Sequence, residues 1–189
     1  MNKTENSNQP VTGALWDYAL GLYRDKNVEA ACLRLQDEAG LDVIMLFYCL
    51  WAARGRGALG RDAIERAMAA LAPWTTGVIA PLRAVRRRLK AASGAEVADQ
   101  AAPNQTALRR AVADCELAAE RMACFMLAAR LPPLAGSPAR RAALGRADAA
   151  AANLADYLAA ARVSLSPPLA ADLARLVDAA APEAPPVQV

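Results

Sequence analysis

The stretch that most narrows the fold is VIMLFYCLWAA, from Val43 to Ala53, which carries no charge and ends abruptly at Arg54, Gly55, Arg56 and Gly57. A membrane-spanning helix needs about 20 consecutive apolar residues, and this run stops at barely half of that, so a span fails on length. Two uses are left. A helix apolar on every face is surrounded by other helices, which makes the run the centre of a bundle. Alternatively it floors a groove in which Trp51 or Tyr48 faces a ligand. The flanks suit a helix: Gly40 supplies the left-handed residue that ends the segment before it, and Asp42 sits where a carboxylate favours the positive end of the helix dipole.

The neighbouring segments are amphipathic at helical spacing. Leu15, Ala19 and Leu22 share a face of a helix expected over 14–24, with Thr12 as its N-cap. Val28, Ala31, Cys32, Leu35 and Ala39 share another, with Asn27 as the cap. Ile64, Ala67, Met68 and Leu71 mark a fourth helix that Pro73 interrupts or restarts. The longest helix is expected from about Thr106 to Arg130. Its face reads Leu108, Ala111, Val112, Cys115, Ala119, Met122, Phe125 and Met126, with its later turns enclosed. Two Ala-rich helices follow, from about Ser137 to Val163 and from Pro167 to Ala181; their small faces pack closely but offer few anchors. The fold class is all-α, an irregular or orthogonal bundle of about six to eight helices. Residues 1–11 and 182–189 read as disordered tails around a single helical domain at 12–181, with 137–181 as its Ala-rich C-terminal pair.

Composition agrees. Of 189 residues 56% are hydrophobic but only 5% aromatic, so the apolar content is largely helix-forming alanine. The start, MNKTENSNQP, is polar and no apolar signal core follows it, which suggests a cytoplasmic protein. Cys32, Cys49, Cys115 and Cys124 lack the paired spacing of a metal or redox motif and read as buried, reduced thiols.

The chain contains no histidine. Ser-His-Asp and Cys-His nucleophile activation and His-containing metal sites are therefore excluded. Gly55, Gly57 and Gly60 have the outline of a dinucleotide-binding loop, but they follow a helix and lack the strand that motif requires. Glu116 and Glu120 lie four apart on one helix face, and pairing with nearby arginines is their simplest use. No metal or cofactor is expected, and no arrangement nominates an enzyme.

What remains for recognition is charge. The formal net charge is +3, and the excess sits in the middle third of the chain. In a helix over APLRAVRRRLK, Arg83, Arg86, Arg87 and Lys90 fall within about 100° of arc, with Leu82, Val85 and Leu89 on the far side. That pattern suggests a basic stripe anchored by an apolar one and facing an acidic protein partner. Arg54 and Arg56 form a second possible anion contact. A net charge this small does not favour nucleic acid, although an RNA- or ribosome-associated factor would use the same stripe. A third reading is an apolar small-molecule pocket among Tyr18, Tyr48, Trp51 and Phe125.

The segment LWDYALGLYRDKNVEAACLRLQDEAGLDVIMLFYCLWAA, with APLRAVRRRLK and CELAAERMA further on, resembles a family of uncharacterised proteobacterial proteins, a domain of unknown function. The likeness runs from about Leu15 to Arg130. It implies an all-helical cytoplasmic protein and transfers no catalytic or binding residue. The leading expectation is a non-enzymatic interaction or adaptor protein.

Overall fold

A computed structural model describes residues 14–92, 102–130 and 145–180. They form an all-α bundle of α1 (Ala14–Tyr23), α2 (Lys26–Ala39), α3 (Val43–Arg56), α4 (Arg61–Trp74), α5 (Ala80–Ala92), α6 (Ala102–Ala128), α7 (Arg146–Ala161) and α8 (Pro167–Ala180). The expected cap Thr12 lies outside the described residues, as do 131–144 and both proposed tails.

α3 is the centre. Leu46, Tyr48, Cys49 and Leu50 are fully buried, and every residue from Ile44 to Leu50 is enclosed. Helices α1, α2, α6, α7 and α8 all lie against it. Its start is fixed from two sides. The Asp42 carboxylate accepts from the Ile44 and Met45 amides at 2.8 and 3.4 Å. Asp42 is thus the N-cap, one position before the first turn expected for it, satisfying donors that the helix leaves open. The Asp42 amide in turn donates to the Tyr157 hydroxyl of α7 at 2.8 Å.

At the other end, the glycines after the apolar run turn the chain back. Gly57 and Gly60 have φ of 78° and 81°, which a residue with a Cβ adopts only with strain. Asn153 of α7, fully buried, holds this turn: its amide nitrogen donates to the carbonyls of Cys49 and Gly57 at 3.1 and 3.2 Å, and its oxygen accepts from the Leu59 amide at 2.7 Å. The Ala-rich C-terminal pair is therefore firmly anchored, contrary to the expectation of few anchors. Small Ala149 and Ala150 admit close approach, Leu154 and Tyr157 fill the space against the core, and α8 lies along α2. There Asp172 accepts from Arg34 at 2.6 and 2.7 Å and from Arg175 at 2.8 Å.

Two local expectations need correction. Asp25, not Asn27, caps α2, its carboxylate accepting from the Asn27 amide at 2.8 Å. Pro73 does not break α4: the helix runs on to Trp74 and passes through a π-helical segment, Thr75–Ile79, directly into α5. The Ala80 amide reaches back five residues to the Thr75 carbonyl. Pro73 itself only leaves one carbonyl a turn earlier, at Ala69, without its helical donor. Trp74, carried on the bend, donates its indole N–H to the Ala119 carbonyl of α6 at 2.9 Å.

Asn153→Ala removes the three hydrogen bonds of a buried side chain, so urea denaturation is expected to show a loss of about 3 kcal/mol. Asp172 gives a pH dependence. Hydrogen bonding to Arg34, chiefly, lowers its pKa below the ordinary carboxylate value. A carboxyl more acidic when folded adds stability above its unfolded value, near about pH 4, and loses it as pH falls through the lowered folded value. Asp172→Asn is therefore expected to lower the urea midpoint at pH 7 and to flatten its decline as pH falls below about 4; an unchanged acid limb would contradict the assignment.

Candidate partner-binding site

α5 is unusual among these helices in having no buried residue. It is held to α6 by charge. Arg83 donates to Glu120 at 2.6 Å and to Glu116 at 3.3 Å, while Arg86 donates to both oxygens of Glu116. Glu116 is buried, and the Arg83 side chain is only 17% exposed. These pairs set the helices antiparallel, because the chain ascends α5 from Arg83 to Arg86 while it descends α6 from Glu120 to Glu116.

The environment tunes the cluster. Burial raises the pKa of Glu120, with Arg83 opposing and Glu116 adding to the shift. For Arg83 burial works against the charge, but the hydrogen bond to Glu120 and the surrounding carboxylates outweigh it and hold the guanidinium above its ordinary value. The Arg83–Glu120 contact, at 2.6 Å, is as short as charge-assisted hydrogen bonds are.

The basic stripe is thus divided. Arg83 and Arg86 clamp α5 to α6. Arg87, Arg88 and Lys90 are exposed and have no carboxylate partner among the described residues. Continuing the antiparallel register by one turn brings Lys90 level with about residue 112 of α6. Arg109 lies two turns before Glu116 on the same face, so it stands at this same end, and both it and the adjacent Arg110 are exposed. That Arg109 extends the cationic surface of α5 follows only from the antiparallel pairing. The apolar stripe also differs from expectation, since Val85 is 44% exposed. The clamp turns the Arg83–Arg86 side of α5 inward and rotates Val85 out.

The other candidate residues do not form one site. Arg54 lies 5.1 Å over the Tyr18 ring, a cation–π contact, and Arg56 makes no ion pair among the described residues. Tyr48 is in the core and Trp51 half-buried at its edge. Phe125 lies on α6 under the Arg121 guanidinium at 5.5 Å. The Tyr18 and Tyr48 hydroxyls are buried without a hydrogen-bond partner among the described residues, and burial raises both to about 12. A cavity of about 160 Å³ does open between α1, α3 and α6, lined by Trp16, Leu20, Tyr23, Phe47 and Leu117 with Arg83 and Glu120 at its wall. None of Tyr18, Tyr48, Trp51 or Phe125 lines it.

Three cysteines are buried as expected, and burial pushes Cys32 and Cys124 up to about 12 and Cys49 further. Cys115 is the correction: it is exposed. α6 turns Glu116, Ala119, Ala123 and Leu127 inward. Cys115 is thereby left outside with Leu108 and Met122, which are 53% and 47% exposed.

Removing Glu116 leaves two guanidiniums at a buried contact, whereas removing Arg87 disturbs nothing. Glu116→Ala is expected to lower the unfolding free energy by about 3 kcal/mol. Arg87→Ala is expected to change it by less than about 0.5 kcal/mol. Equal effects in denaturant titrations would contradict the division of the stripe.

No curated protein and no solved structure matches the chain. A family sequence model does, over residues 14–127, nearly the segment that carried the resemblance, and it takes in α1 to α5 and all but the last residue of α6. The chain therefore belongs to DUF2390, a family of proteins of unknown function.

Proposed function

We propose that the protein is a non-enzymatic interaction protein whose α5–α6 hairpin presents Arg87, Arg88, Lys90 and Arg109 to an acidic segment of a protein partner. One observation carries the reading: on a helix with no buried residue, two arginines are clamped by glutamates while Arg87, Arg88 and Lys90 are exposed and without carboxylates among the described residues, and the antiparallel pairing sets the exposed Arg109 at the Lys90 end. The clamp fixes the helix orientation, so the free cations keep a defined arrangement, and clustered charge of one sign accelerates encounter with the opposite sign. The use of Asn153, Asp172, Glu116 and Glu120 in structural bonds supports a binding role over a catalytic one.

The test uses Arg87→Glu/Arg88→Glu/Lys90→Glu, which leaves the Arg83 and Arg86 clamp intact. Affinity capture from nuclease-treated lysate is compared between wild type and this variant, after circular dichroism shows equal helicity. The expected result is a protein bound by wild type and lost with the variant, reproduced with purified components. Identical captures would overturn the reading. Binding that disappears with nuclease and falls steeply with salt would replace the acidic protein by RNA.

A further inference from the structure

A second surface, on the opposite side of α6, is apolar. Leu108, Ala111, Cys115, Ala118 and Met122 are all exposed. They recur at intervals of three and four, and the half-buried Phe125 continues the series. This is the heptad pattern of a helix that pairs with another, sustained over about 26 Å of helix axis. Nothing in the α5–α6 clamp uses it, and the neighbouring Trp74 closes one edge by bonding to the Ala119 carbonyl.

We infer that this stripe is the dimer interface of the protein, in which α6 pairs antiparallel with α6 of a second copy about a two-fold axis. The sequence along the stripe selects that partner and that direction. Antiparallel layers set Met122 over the small Ala111 of the other copy, Cys115 against Ala118, and Leu108 against Phe125, each layer occurring twice. Met122 thus meets a small residue, Leu108 and Phe125 pack on each other at the two outer ends, and the central layers of Cys115 and Ala118 let the helices approach closely. Asp114 and Arg121 flank the stripe on its open side, seven residues apart, and the same alignment brings Asp114 of each copy opposite Arg121 of the other. A parallel pair would leave both charges facing apolar positions and would stack Met122 on Met122 with a gap at Ala111. An isologous contact needs a surface complementary to itself under a two-fold, and this one is, in volume and in charge. Asp114 has no ion-pair partner among the described residues. Arg121 lies over Phe125, which holds its guanidinium beside the stripe.

The experiment is analytical ultracentrifugation of the full chain from low micromolar to several hundred micromolar, on wild type, Asp114→Arg, Arg121→Asp and the double swap Asp114→Arg/Arg121→Asp. All of these changes are exposed, and circular dichroism checks each fold. The expected result is a reversible dimer that either single change weakens by about tenfold, while the double swap returns it to within about threefold of wild type. Met122→Glu is expected to abolish the dimer. A wild-type chain that stays monomeric throughout would overturn the proposal, as would a dimer indifferent to Met122→Glu. A monomer in which Cys115 also resists thiol reagents would assign the stripe to another segment of the same chain.

Discussion

A helix with no polar face can only be stable if every side is covered, and α3 imposes that requirement on the whole bundle. Five helices surround it, and both of its ends need polar partners in an apolar setting. α7 supplies them: Tyr157 receives the amide of Asp42 at the start, and Asn153 binds the carbonyls of Cys49 and Gly57 at the end. An Ala-rich helix suits this position, because small side chains let its backbone come close enough for two polar groups to reach α3. The family match stops at residue 127, yet the helix that closes the core begins at Arg146.

The consequences reach the surface. With α3 enclosed, α6 has room to bury only one side, and the charged clamp with α5 takes part of it. Glu116 and Glu120 therefore sit inward, and the more apolar side of α6 is left facing out. The energetic logic is asymmetric. A buried ion pair is not a strong source of stability compared with apolar packing, but it is costly to break and exact in geometry. The clamp thus fixes how α5 is rotated more than it strengthens the fold, and that rotation decides which cations face solvent.

Much of this was legible in the sequence, for local reasons. The uncharged run from Val43 to Ala53 announced a core helix because length excluded a membrane span, and Gly40 announced a helix end through the backbone conformation it permits. The class, all-α, followed from helical spacing sustained over most of the chain. What could not be read depended on contacts between distant segments. Asn153 is one polar residue in an alanine run, and only its neighbours across the fold reveal its role. Pro73 looked like a break because the π-helical turn that carries the helix on into α5 has no signature in residue type. The inward face of α6 was misassigned because apolar count favours Leu108, Cys115 and Met122, and the decisive partners, Arg83 and Arg86, lie 30 to 37 residues away. The basic residues of APLRAVRRRLK were legible as a run on one helix, but their division into clamped and exposed cations required the antiparallel pairing.

The central claim is that α3 and α7 stabilise each other as one unit, and native-state hydrogen exchange measures it directly. The amides of Leu46 to Leu50 in α3 and of Leu154 to Leu158 in α7 should exchange with the same, highest free energy and respond together as denaturant is added. Exchange in α7 at a clearly lower free energy, while α3 stays protected, would show that the core closes without it and contradict the account.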